Sequence, residues 1–311
     1  MSTDVSRGRA WLMATRPQTL PAGAAPVVVG AAIAVHEGVF APLPALAALV
    51  GALLIQIGTN FANDYYDAVK GVDDESREGF TRVTQSGLIP AEQVKLAMAA
   101  TFGLAILVGT YLVYVGGVPI LVIGLLSVAS GYAYAGGPYP LGSHGLGDLF
   151  VFVFFGVVAV VGTVYVQAAA VLAEPLTTTI PAGTIPAVAV IASLPVAAIS
   201  TNIIVVNNVR DLETDREAGK YTLAVIIGYR WSRVEYVGLL ALAYAVPIYL
   251  WAARNAFGPG VLLPLLTLPL AIPVARTVCT RTDGDALNPA LERTGQLLAA
   301  FSALFAVGVV V

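Results

Sequence analysis

The run Asn207-Asn208-Val209-Arg210-Asp211-Leu212-Glu213-Thr214-Asp215-Arg216, with Lys220 and Thr222 just beyond it, gathers amides, acids and bases at the end of an almost uncharged apolar stretch, 185–206. If the helix continues for two turns, Asn207, Asp211 and Asp215 fall at i, i+4 and i+8 on one face. Carboxylates brought that close repel unless a positive charge sits between them, and an all-oxygen donor set suits a hard divalent ion such as Mg²⁺. A second version, Asn63-Asp64-Tyr65-Tyr66-Asp67, ends another apolar run. Laying Asn63 on Asn207 places Asp64 on Asn208 and Asp67 on Asp211, so two facing copies of one motif are expected. Arg210, Arg216, Lys220 and Lys70 add positive charge nearby, and acids that hold Mg²⁺ beside bases predict a bound diphosphate. Mg²⁺ stabilises a departing diphosphate as a Lewis acid, without a proton donor.

The elements that must position these groups follow from composition. With 58% hydrophobic residues, 11% charged residues and a mean hydropathy of +0.82, the chain is too apolar for a soluble domain. It reads as an all-α polytopic membrane bundle, a single domain over residues 1–311, around a central cavity open to the cytoplasmic side. A span of roughly 20 apolar residues places nine transmembrane helices near 20–36, 44–62, 92–114, 119–136, 148–172, 184–206, 233–253, 261–278 and 293–311. Connecting them in that order puts fifteen of the sixteen Lys and Arg residues on one side and only Arg254 on the other. The positive-inside rule makes that side cytoplasmic, together with the N-terminus and both acidic motifs, in a cell-membrane protein. No cleavage site follows the polar first 19 residues, so no removed presequence is expected. Cys279 stands alone and can form neither an internal disulfide nor a thiolate metal cluster. A net charge of −3 argues against a nucleic-acid partner, and no feature calls for an obligate protein partner. The partners expected are the lipid bilayer and a diphosphate whose long lipid tail explains a site sunk at the bilayer edge.

Several further residues lie where they can contact such a substrate. Arg16 and Gln18, between the helix-breaking Pro17 and Pro21, are placed at the mouth of the cavity. Asn60 shares a helical stripe with the first motif, since polar side chains at membrane depth face a cavity or another helix. Gln85 and Ser86 belong to a Thr-Gln-Ser-Gly segment that offers hydroxyls and amides to an anion. Tyr132, Tyr134 and Tyr139 follow the fourth helix, where they form an interfacial belt or flank an aromatic acceptor and shield a carbocation. His144 and Asp148 are four apart and are able to share a helix face. The fifth to ninth helices are expected to contribute small residues for close packing rather than chemistry.

Taken together, Asn63-Asp64-x-x-Asp67 and Asn207-x-x-x-Asp211-x-x-x-Asp215 resemble the paired aspartate motifs of the UbiA superfamily of intramembrane prenyltransferases. The strings 60–71, 84–87 and 207–220 resemble its MenA branch, as do Arg16-Pro17-Gln18-Thr19-Leu20-Pro21 and Gly145-Leu146-Gly147-Asp148, so the similarity runs from about residue 11 to the end of the chain. The resemblance implies transfer of a polyprenyl group from polyprenyl diphosphate to 1,4-dihydroxy-2-naphthoate, with loss of CO₂ and diphosphate, on the route to menaquinone. It implies that Asp67, Asp211 and Asp215 hold Mg²⁺, that Asn63 and Asp64 belong to the same ligand set with Asn207 in support, and that Arg210 and Lys220 bind diphosphate. It places Arg16, Gln18, Asn60, Lys70, Gln85, Ser86, Tyr139, Asp148 and Asn208 around the substrates. One departure stands out: the superfamily pattern ends its first motif with an aspartate where this chain has Gly71, and Asp73 or Asp74 is then the substitute to consider.

Other classes fit less well. A different aromatic acceptor, 4-hydroxybenzoate or homogentisate, is the nearest alternative. An ion-coupled transporter also carries intramembrane acids, but near mid-membrane and with a route to both sides, whereas here the acids sit at one end and the outer loops are nearly chargeless. A non-catalytic scaffold has no use for two matched acid-amide motifs.

Overall fold

A computed structural model describes residues 5–70, 83–135, 141–253 and 257–311. Tyr139, Gly71, Asp73, Asp74 and Arg254 lie outside the described residues. Asp67 and Lys70 belong to the last turns of their helix and are described by their backbone alone.

Among the described residues the regular structure is helical, with no strand. A short first helix, α1 (Arg7–Thr15), leads through a single turn at Pro17–Thr19 into α2 (Leu20–His36) and α3 (Pro42–Lys70). Then come α4 (Ala91–Ala135), α5 (Gly147–Phe150), a wide π-type segment (Val151–Val158) and α6 (Ala159–Leu172). The second half contains α7 (Ala187–Arg210), α8 (Leu212–Glu217), α9 (Leu223–Ala253), a 3₁₀ segment (Pro259–Thr267), α10 (Leu268–Thr280) and α11 (Gly284–Val310). Eight stretches of the described residues are long and apolar enough to cross a membrane, as a multi-pass membrane protein requires.

The eight stretches and the nine expected spans are reconciled at Gly117. As a straight rod, the 45 residues of α4 would extend about 68 Å at 1.5 Å per residue, more than twice a hydrocarbon core of roughly 30 Å. The chain breaks at Gly117 (φ 68, ψ −158), a left-handed conformation that glycine adopts at little cost. There the Val118 amide donates to the Thr177 carbonyl at 2.8 Å and the Leu176 amide to the Tyr114 carbonyl at 2.9 Å. A Cβ on Gly117 would fall 2.0 Å from the Thr177 oxygen. The break therefore lies level with the loop after α6, and α4 supplies two successive crossings.

Helix ends differ from the sequence expectation in the same direction. The second span continues to Lys70, the sixth to Arg210, and the ninth starts at Gly284, so the polar motif residues prolong the helices rather than follow them. Hydropathy registers the bilayer, whereas backbone hydrogen bonding carries a helix on into the interface.

The core is built on α7, whose central window is 72% buried, against 17% for α4 on the lipid-facing rim. Val196, Ala198 and Ile199 of α7 share one apolar cluster with Val29 and Ile33 of α2, Val160 of α6, Leu250 of α9 and Phe301 of α11. Small residues let the backbones approach: a Cβ on Gly156 would meet that of Ala197 at 2.1 Å, which locks the π-type segment against α7. The second acidic motif thus grows from the most enclosed helix.

Candidate active site

Both motifs emerge at the same end of the bundle, and the packing that brings them there can be followed residue by residue. Buried Asn60 of α3 donates from Nδ2 to the Thr15 carbonyl at 2.9 Å and to Thr19 Oγ1 at 2.8 Å. Trp11 and Phe61 meet edge to face at 5.9 Å between ring centroids. The first motif is thereby tied to α1 and to the Pro17–Thr19 turn. That turn touches α11, where the Gln18 carbonyl would lie 3.5 Å from a Cβ on Gly295. Two turns earlier on α11, Asn288 Oδ1 accepts from Arg210 Nη1 at 2.8 Å. A continuous set of contacts therefore runs from Asn60 to the second motif. Arg16 makes it possible by adopting a left-handed backbone (φ 49, ψ 71), a conformation rare for a residue with a side chain.

At the second motif the helix does not continue without interruption as expected. It stops at Arg210, Asp211 turns (φ −92, ψ 6), and α8 follows. The Asp211 amide still donates to the Asn207 carbonyl (3.0 Å) and the Asp215 amide to the Asp211 carbonyl (2.7 Å), so the three residues keep a four-residue spacing through the turn. Arg210, whose side chain is only 6% exposed, organises the cluster. Its Nε and Nη2 clasp the two Asp211 carboxylate oxygens at 2.7 Å each, and Nη2 also reaches Asn207 Oδ1 at 2.8 Å. Such bidentate, charge-assisted geometry is among the stronger side-chain interactions. Lys220 Nζ lies 3.3 Å from Asp215 Oδ1. Expected as a ligand for phosphate, Arg210 is found holding Asp211, Asn207 and Asn288, while half-exposed Lys220 is the more accessible cation.

The first motif is arranged differently. Asp64, buried, accepts from the Thr84 amide at 3.1 Å and from Thr84 Oγ1 at 2.5 Å with the same oxygen. This pins the start of residues 83–89 to α3, where Val83 and Ile89 join Phe61 and Ala10 in a small apolar cluster. Asn63 is half-buried, whereas Gln18, Gln85 and Ser86 are exposed. Asp148, in the first turn of α5, is buried against α7: Asn208 Nδ2 donates to its Oδ2 at 3.4 Å, and its Oδ1 has no hydrogen-bond partner. The Tyr221 amide donates to the Ser143 carbonyl at 2.9 Å, which draws the 141–148 segment over the chain just past Lys220.

One residue that matters here has no signal in the sequence: Asn288 completes the Arg210 cluster from α11, and nothing local marks it.

Among the described residues no three His, Cys, Asp or Glu side chains converge on one point. The donors nevertheless fit a hard divalent ion bound with a polyanion, because Mg²⁺ in such sites takes one or two carboxylates and completes its shell with water and phosphate oxygens. Asp211 and Asp215 supply two carboxylates within one turn, with side chains 21% and 14% exposed.

Residues 24–305 match the UbiA prenyltransferase family. The chain is 39% identical to the 1,4-dihydroxy-2-naphthoate octaprenyltransferase of Escherichia coli K12, over 98% of this chain and 96% of that one. It is 37% identical to the protein of the same name from Mycobacterium tuberculosis H37Rv, over 92% and 91%. Among solved structures it resembles a UbiA homolog from Aeropyrum pernix K1, in its apo form, with a TM-score of 0.68 at 15% identity over 94% of this chain and 97% of that one. It also resembles a UbiA homolog from Archaeoglobus fulgidus bound to DMAPP and Mg²⁺, with a TM-score of 0.57 at 17% identity over 96% and 99%. With the family match spanning most of its length and these relatives aligned nearly end to end, the chain belongs to the UbiA prenyltransferase family.

Proposed function

We propose that residues 1–311 form one integral-membrane domain that transfers a polyprenyl group from polyprenyl diphosphate to 1,4-dihydroxy-2-naphthoate, releasing diphosphate and CO₂ and yielding a demethylmenaquinone. The observation that carries this reading is the cluster at the end of α7: two carboxylates with their own cations, Asp211 with Arg210 and Asp215 with Lys220, on the most enclosed helix of an apolar bundle. Acids and bases in that arrangement suit a polyanion, and the apolar helices around it suit that substrate's lipid tail. The acceptor comes from the relatives' names.

Asp211 and Asp215, with Asp67, Asn63 and Asp64 of the first motif, are the groups that would hold Mg²⁺, and Mg²⁺ when bound supplies Lewis-acid stabilisation to the departing diphosphate. Arg210 holds the Asp211 carboxylate in place for that role, and Lys220 is free to swing from Asp215 toward a phosphate oxygen. Asn207, fixed by Arg210, supports the same corner, and Lys70 adds charge from the end of α3. Arg16, Gln18, Asn60, Gln85, Ser86 and Tyr139 are the further residues proposed to contact the substrates. The allylic C–O bond breaks with both electrons leaving on diphosphate. The ring carbon bearing the carboxylate then attacks the allylic cation, and cleavage of its bond to the carboxylate returns the electrons to the ring as CO₂ departs. No strong base is required at that carbon.

Purified protein with Mg²⁺, a polyprenyl diphosphate and 1,4-dihydroxy-2-naphthoate is expected to release diphosphate and CO₂ in equal amounts. Turnover with 4-hydroxybenzoate alone would replace this acceptor. The charge asymmetry of the loops supports a site on the cytoplasmic face. A cysteine introduced at exposed Glu213 in a cysteine-free background should therefore resist an impermeant thiol reagent applied outside intact cells, and rapid labelling would reverse the orientation.

A further inference from the structure

The first motif is fastened by a pair of bonds that the diphosphate chemistry alone does not call for. Asp64 of α3 is 2% exposed, and its Oδ2 receives both the Thr84 amide at 3.1 Å and Thr84 Oγ1 at 2.5 Å. An oxygen with two donors on it is taken up, so only the other oxygen of Asp64 is left to face an ion. The partner is a compact turn. Gly87, in a left-handed conformation (φ 72), donates its amide to the Thr84 carbonyl at 3.1 Å. The Leu88 and Ile89 amides both reach the Val83 carbonyl, at 3.0 and 3.2 Å, and Ser86 Oγ donates to that same carbonyl at 3.2 Å. Val83 and Ile89, each 1% exposed, seat the two ends of the turn in the apolar cluster with Phe61. The hydroxyls of Thr84 and Ser86, expected from the sequence to face an anion, are thus engaged as donors within the fold, whereas Gln85 is exposed.

Resting on the prenyl-transfer reading above, we infer that Thr84 is a positioning residue: its paired bonds to Asp64 hold the 84–87 turn on the first motif and set where Gln85 meets the diphosphate. Asp64 directly follows Asn63 and lies three residues before Asp67, so a turn fastened to Asp64 stands beside the proposed ion ligands. Two apolar anchors alone leave the turn able to roll about the line that joins them. Directional bonds from an amide and a hydroxyl of one residue to one charged oxygen remove that freedom. Placement of this kind matters because a small displacement of a group that grips a substrate weakens its grip.

The test measures binding of inorganic diphosphate with Mg²⁺ by equilibrium dialysis, together with the KM of each substrate. The proteins compared are wild type, Thr84→Val, Thr84→Ser, Gln85→Ala and the double variant Thr84→Val/Gln85→Ala. Thr84→Val keeps the amide bond and nearly the same shape but deletes the hydroxyl. It is expected to weaken diphosphate binding about tenfold and to raise the KM for polyprenyl diphosphate in step, as loss of one hydrogen bond to a charged group allows. The acceptor KM should stay within about twofold, and Thr84→Ser should bring diphosphate affinity back to within about threefold of wild type. In the Gln85→Ala background, Thr84→Val should add less than about twofold, because a turn that places Gln85 then has nothing left to place. Unchanged diphosphate affinity in Thr84→Val, additive losses in the double variant, or an equal rise in both KM values would overturn the inference. Should Thr84→Val fail to assemble, Gln85→Ala decides alone, since its site is exposed and unaltered diphosphate affinity there removes the assignment. Wild type that binds no diphosphate in the presence of Mg²⁺ defeats the functional reading itself, a different result from normal wild-type binding that Thr84→Val leaves intact.

Discussion

Asp211→Asn is expected to lower kcat by about 10²–10³-fold, the equivalent of roughly 3–4 kcal/mol of transition-state stabilisation, in line with the loss of one well-placed electrostatic contact at a charge-developing centre. The side chain keeps its size and one acceptor oxygen but surrenders the charge that would hold Mg²⁺ against the diphosphate. Because Arg210 is nearly buried and grips both Asp211 oxygens, the substitution also strands part of a guanidinium, at a cost of about 1–3 kcal/mol in stability. Asp215→Asn separates the two effects. Its partner Lys220 is half-exposed and falls back to solvent, so this variant should lose activity on a similar scale with little change in thermal unfolding. The measurement is diphosphate release under saturating substrates, alongside unfolding in detergent. Near-normal turnover in either variant would remove these acids from the reaction.

Withdrawal of Mg²⁺ by a chelator should reduce turnover to background while leaving the helical bundle assembled, and adding the ion back should restore the rate. The reason for the asymmetry lies in the pairing at the end of α7. Without an ion, two like charges one turn apart would repel, but the chain supplies its own counter-charges, Arg210 for Asp211 and Lys220 for Asp215. The empty site is therefore electrically balanced. Unfolding followed by circular dichroism should show the same midpoint within about 2 °C, a shift worth no more than roughly 1 kcal/mol in a chain of this size. Persistent prenyl transfer in excess chelator would exclude a metal-assisted departure, and collapse of the helical signal would show instead that the ion is a structural part of the fold.

Asn288 and Arg210 illustrate opposite relations between sequence and site. Arg210 is conspicuous in the motif as a cation for phosphate; the structure turns it inward onto Asp211, Asn207 and Asn288, the last of them 78 residues away. Asn288 is inconspicuous in the sequence and gains significance only because α11 brings it against Arg210 at the end of α7. Asp64 likewise resembles a ligand by its place in the motif and is bound to Thr84, 20 residues further along the chain, a partner that no local pattern records.

What the amino-acid order determined by itself was the membrane architecture and the end of the bundle at which the chemistry sits. Hydrocarbon tolerates neither unpaired backbone nor scattered charge, so apolar run lengths dictate the crossings, including the reversal at Gly117, and the acids and bases collect where the runs end. What only the tertiary structure decided was the partnership of each charged or amide group. Helical periodicity assigns a residue to a face, but which neighbour that face meets depends on the rotation and close approach of helices distant in the chain. At Asp211, Asp64 and Asp148 those approaches select an arginine, a threonine and an asparagine, giving three carboxylates of similar sequence setting three different environments.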